Sequence, residues 1–181
     1  MGLSGWVKEA VVYGNSIIAS GYNLKGAYPV RHRSSTMARY DVASKRWFSM
    51  QQNHADDKLF DMEVHEGKVW ISGIFHDQSG APAAQLAAWD PVNGWSLEPT
   101  QFSPGAGRIH FSTSGVFCVE GNISSVDGVD TGYVYAAGKT PNVVCRTSGG
   151  WAIPPPLVGK TGTHGVGLTG VRGKEFIFAM G

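Results

Sequence analysis

One plan recurs along this chain: an apolar alternating run, a turn carrying glycine, and a second apolar run that ends in glycine. The copies are residues Glu9 to Gly21, Met62 to Gly73, Ile109 to Gly121 and Gly167 to Gly181. Their turn glycines, Gly14, Gly67, Gly115 and Gly173, recur at intervals of roughly 50 residues. Alternating β-branched and aromatic residues around a short turn predict a β-hairpin in each copy. A second element follows the earlier copies. Met37 to Trp47 and Leu86 to Trp95 share a strand ending in an aromatic residue and Asp, a short turn, and a new strand opened by Trp. Asp41 and Asp90 are placed to cap that turn by accepting from backbone amides two residues on. The third copy is looser, with Tyr133 to Ala137, an insertion, and then Val143 to Trp151 without an aromatic–Asp pair.

The repeating unit is therefore four strands in about 50 residues, which is the size of a β-propeller blade. An antiparallel sandwich also has short alternating strands, but it does not usually repeat hairpin glycine, aromatic–Asp and Trp in one order. The expected fold is all-β, a propeller of four-stranded antiparallel blades with about three and a half blades present. Residues 1–8, with Trp6, read as the outer strand of a preceding blade; 9–50, 59–99 and 107–154 read as blades; 164–181 reads as the first hairpin of a fourth. Rings close with about 4 to 8 blades, so a partial ring or one completed by a partner chain is expected, with Phe176 to Gly181 an open apolar edge. Val11, Ile17, Val69, Ile71, Val116 and Phe176 would fill the space between blades, and Trp47, Trp95 and Trp151 would pin each outer strand.

The wording of the repeats resembles kelch and galactose-oxidase-like propellers, and more closely the repeats of fungal bud-site cortical marker proteins and their bacterial relatives. The residues that carry the resemblance are Lys68 to Phe75 with Leu86 to Asp90 and Trp95, and Val116 to Gly128. It extends from about Trp6 onward. The chain departs from kelch where strand b has a glycine pair: Ser20-Gly21, Ser72-Gly73 and Glu120-Gly121 stand there instead. The motifs of the resemblance are structural, so they specify a fold better than a function, and no catalytic residue is carried over from them. The repeat, the low charge and the lack of a catalytic constellation point to a recognition scaffold on a secreted or surface-exposed protein.

Composition narrows the functions. Glycine is frequent, 25 of 181 residues, about twice average usage, and would interrupt long helices. The formal net charge is +1, so no broad electrostatic footprint for nucleic acid or anionic membrane exists. Nothing near Met1 reads as a secretory signal, and no run approaches the roughly 18 apolar residues of a membrane span. Cys118 and Cys145 could form one disulfide or be two free thiols, and spacing does not choose. Asn122-Ile123-Ser124 is a glycosylation sequon.

No catalytic or metal motif emerges. His32, His54, His65, His76, His110 and His164 are scattered, with no His-x-x-x-His, Cys-x-x-Cys or Gly-x-Ser-x-Gly, so no metal or other cofactor is expected. Binding remains. In propellers the b–c and d–a loops emerge together on a rigid scaffold, where recognition concentrates. On that face the candidate binding residues are Arg31, His32, Arg33, His76, Asp77, Asp127 and Asp130. The preferred expectation is a noncatalytic propeller for a protein or glycan ligand. The alternatives are a galactose-oxidase-like or glycan-processing enzyme domain, and an assembly protein pairing through open edge strands.

Overall fold

The computed structural model describes residues 2–26, 35–50, 58–76, 79–112, 114–131, 142–152, 165–171 and 174–180. Every regular element among them is a β-strand. The chain divides into two compact units, Met1–Pro99 and Thr100–Gly181.

The first unit holds two antiparallel sheets of four strands, each in sequence order. One is β1 (Ser4–Tyr13), β2 (Ser16–Lys25), β3 (Ser35–Asp41) and β4 (Arg46–Ser49); the other is β5 (Lys58–His65), β6 (Lys68–His76), β7 (Pro82–Asp90) and β8 (Gly94–Glu98). The first hairpin closes at Tyr13 opposite Ser16, and the matching one at His65 opposite Lys68. This register aligns Gly14 with Glu66, one residue off the sequence alignment to Gly67. Both Glu66 and Gly67 have positive φ, 46° and 72°, the backbone that two-residue hairpin turns demand.

Each first strand carries an irregularity at the same place, Lys8 in β1 and Phe60 in β5. There the chain presses a backbone carbonyl against the glycine ending the second strand's apolar run. A Cβ on Gly21 would collide with the Trp6 carbonyl, and one on Gly73 with the Lys58 carbonyl. Gly121 repeats the situation in the second unit, where a Cβ would sit 2.7 Å from the Gly105 carbonyl oxygen. These glycines are fixed by close approach rather than by backbone conformation.

Ser4–Tyr13 is one strand, and Trp6 pairs with Tyr22 of β2. Residues 4–8 are therefore not the outer strand of an earlier sheet, as expected from the sequence, but the start of the first strand of this one.

The two sheets share a core. Val11, Tyr13, Ile18, Met37 and Met50 pack with Met62, Val64, Val69, Ile71, Trp89 and Trp95. Burying side chains of this size contributes on the order of 1.5–3 kcal/mol each before chain entropy is counted. Tyr13 meets Trp89 edge to face at 5.7 Å, and its hydroxyl donates to the Gly67 carbonyl at 2.6 Å. The Trp95 indole N–H donates to the Met50 carbonyl at 2.8 Å, tying the second sheet's last strand to the segment that leaves the first.

The second unit repeats the four-stranded plan once. Its strands are β9 (Phe102–Ser103), β10 (Ile109–Phe111), β11 (Phe117–Gly121), β12 (Ser125–Val126), β13 (Val129–Asp130), β14 (Asn142–Thr147), β15 (Gly150–Ala152), β16 (Gly165–Val171) and β17 (Lys174–Met180). The repeated sheet has the order β10-β11-β14-β15. A small sheet, β13-β12-β9, joins the β12–β13 hairpin, inserted between β11 and β14, to β9, which precedes β10; it has no counterpart among the described residues of the first unit. Residues 133–137, expected to begin the third strand of this copy, lie outside the described residues; the strand paired with β11 in third place is β14. Trp151 packs on Phe102 and Phe117, and its indole N–H donates to the Thr100 hydroxyl at 3.2 Å. The last pair, β16-β17, is the hairpin expected over 164–181, with Gly165 opposite Met180.

Candidate functional site

The start of β1 and the end of β2, with the matching start of β5 and end of β6, gather distinctive exposed chemistry. Trp6 and Tyr22, opposite each other in register, meet edge to face at 6.3 Å and are 73% and 47% exposed. Large aromatic rings left in water are unusual where a core is within reach, and paired rings on a rigid sheet are a ready contact platform. Beside the bulge, the Lys8 ammonium donates to the Leu59 and Phe60 carbonyls at 2.9 and 2.7 Å and lies 5.8 Å from the centre of the Phe60 ring. Its charge is thus spent within the fold, linking one bulge to the other.

Next along β1, Glu9 reaches Asp61 of β5. Burial pushes the Glu9 carboxyl up to about 7, and the charge of Asp61 and the hydrogen bond between the two carboxyl groups add to the shift. Lys8 and the backbone amide of Met62 oppose it. Glycoside hydrolysis by two carboxyl groups needs them roughly 5 to 9.5 Å apart, to fit the sugar or the attacking water between them. A pair bonded directly to itself lacks that gap.

The residues expected to bind are distributed differently. Arg31, His32, Arg33 and Asp77 lie outside the described residues. His76 is half-buried at the end of β6, opposite Pro82. Asp127 occupies the β12–β13 turn with φ 50°, and its carboxylate accepts from the Gln101 amide at 2.8 Å. That carboxylate holds the small sheet to the segment before β9, so its first role is structural. Asp130 is exposed on β13. In the sequon, Asn122 is half-buried, Ile123 is fully buried and the Ser124 hydroxyl donates to the Ser103 carbonyl at 3.0 Å.

Cys118 and Cys145 stand directly opposite on β11 and β14 and are joined by a disulfide. On the same face the ring of His110 lies 3.7 Å from the buried carboxylate of Glu120. The turn aspartates do what the sequence predicts, with a longer reach. Asp90 accepts from the amides of Val92 and Asn93, whereas Asp41 accepts from Ser44, three residues on. Hydrogen bonds from Ser44, side chain first, lower the Asp41 pKa, and those from Asn93 do the same for Asp90.

Sequence reasoning missed the Trp6–Tyr22 platform, because Trp6 was read by analogy with the tryptophans that open outer strands. The signal available was weak: Trp6 and Val7 are apolar and continue toward Ala10 and Val11, but Lys8 and Glu9 interrupt the run at the bulge. Among the described residues no three His, Cys, Asp or Glu side chains converge as a metal-holding group. No protein-family model matches the chain, and no curated protein matches it.

Proposed function

We propose that this chain is a noncatalytic recognition scaffold of the propeller type, which presents the Trp6–Tyr22 platform and its neighbouring loops to a glycan or protein ligand. The observation that carries the reading is the exposed, edge-to-face aromatic pair on a rigid two-sheet base. Interfaces are enriched in Trp and Tyr because these side chains offer large rigid area with one polar tip. The negative face of an indole also complements the C–H face of a sugar ring. The propeller part rests on the four-strand plan recurring in one order, with a tryptophan N–H tethered to a preceding segment in two copies. The disulfide supports an oxidising, extracellular or surface setting.

The test applies parent and Trp6→Ala proteins side by side to a printed glycan array and to a displayed peptide library. Truncating a central aromatic anchor costs on the order of 2 kcal/mol, so signals present in the parent are expected to fall by more than tenfold in the variant. A glycan signal lost with Trp6 assigns the ligand class as carbohydrate; a peptide signal lost with Trp6 assigns it as protein. Binding equal in the two proteins overturns the platform as the site.

A further inference from the structure

The register of the two sheets in the first unit sets up an internal comparison. In the second sheet, Val64, Val69, Trp89 and Trp95 form one row across four strands. The equivalent row of the first sheet is Val12, Ile17, Tyr40 and Trp47, again opposite one another strand by strand. The second sheet's row packs against the first sheet: Val69 is 0% exposed, and the Trp95 N–H is taken up by the Met50 carbonyl. The first sheet's row is less covered among the described residues: Tyr40 and Trp47 are half-buried, and its other half faces outward. Val12 is 72% and Ile17 38% exposed. Leu3 and Leu24 pack with Trp47 and Ala38 at its far end.

The same repeat indicates what fits there. The face that covers the second sheet is the opposite face of the first, carried at Val11 and Ile18. In β16-β17 the turn closes with Val171 opposite Lys174, so Thr169 and Phe176 take the register positions of Val11 and Ile18, and Phe178 that of Ser20. The chain thus has a row exposed at Val12 and Ile17 in its first sheet and, at its last hairpin, two phenylalanines in the register of the covering strands. A net charge of +1 sets no appreciable repulsion between copies.

We infer that the Val12–Ile17–Tyr40–Trp47 face is a docking surface for the β16–β17 hairpin of a second copy of this chain, in a head-to-tail association. It rests on the equivalence of the sheets and not on what the Trp6–Tyr22 platform binds, so either reading can fail alone. Unlike surfaces meet, so the contact is heterologous and forms closed rings or open chains rather than an isologous pair.

Sedimentation velocity over a concentration series tests it. The parent is expected to self-associate, and Val12→Lys to weaken that association about tenfold or more, because an ammonium would be desolvated in the contact. Val92→Lys, on the exposed β7–β8 turn, is expected to leave it unchanged. Circular dichroism and thermal melting check that the variants fold. A Val12→Lys copy keeps its last hairpin, so a tagged variant is expected to be captured by the untagged parent. A parent that is monomeric throughout overturns the inference, as does association equally strong in Val12→Lys. Self-association of the parent without capture of the variant overturns the head-to-tail geometry.

Discussion

Glu9 is the residue whose ionisation is most entangled with the fold. Its carboxyl holds a proton up to about 7 when folded, against 4.5 ordinarily, because of burial and Asp61. The folded state therefore binds more protons than the unfolded one between these values, and stability declines as pH rises through that window. Glu9→Gln keeps a hydrogen-bonding partner for Asp61 and removes the titration. Urea melts are expected to show the variant gaining on the parent between about pH 5 and about pH 8, with little difference at the lower pH. An equal pH dependence in both proteins would show that the pair does not control it. Asp90 and Asp41 were legible in the sequence because an Asx turn is a local event, decided within four residues. Glu9–Asp61 was not, because it depends on two bulges 52 residues apart in the chain meeting in space.

At the scale of elements, the hairpins could be read because alternation over seven or more residues is a strong signal. The β13-β12-β9 sheet could not, since strands of two residues carry no periodicity. The cysteine pairing follows from register: once β11 lies antiparallel to β14, Cys118 falls opposite Cys145, and no spacing rule would have announced it. This bridge closes a 27-residue separation that spans β12, β13 and residues 132–141. On chain-entropy grounds, removing it with Cys118→Ala/Cys145→Ala is expected to destabilise the unit by roughly 3 kcal/mol. Denaturant melts check this, and a change below about 1 kcal/mol would mean that the strand pairing alone confines the loop.

At the scale of the whole molecule, a net charge of only +1 goes with an apolar row exposed at Val12 and Ile17. Association through that row is expected to respond little to salt, since ionic screening acts on charged contacts. Sedimentation at about 0.05 and about 0.5 M sodium chloride is expected to give association constants within about threefold of each other; a larger fall would point to a charged contact surface instead. Repetition in the sequence was enough to announce an all-β chain of four-stranded sheets. It did not show which faces would be covered, because similar rows of β-branched and aromatic residues are packed away in one sheet and half exposed in its neighbour.

The tether from the Trp95 indole to the Met50 carbonyl has a consequence for biosynthesis. Ribosomes deliver a chain from its N-terminus, so Met50 emerges long before its partner. The joint between the first two sheets cannot be sealed until residue 95 has left the exit tunnel, and the joint at Thr100 waits in the same way for Trp151. Each indole is thus the last clasp of its sheet, and the nascent chain matures in steps set by where the tryptophans fall.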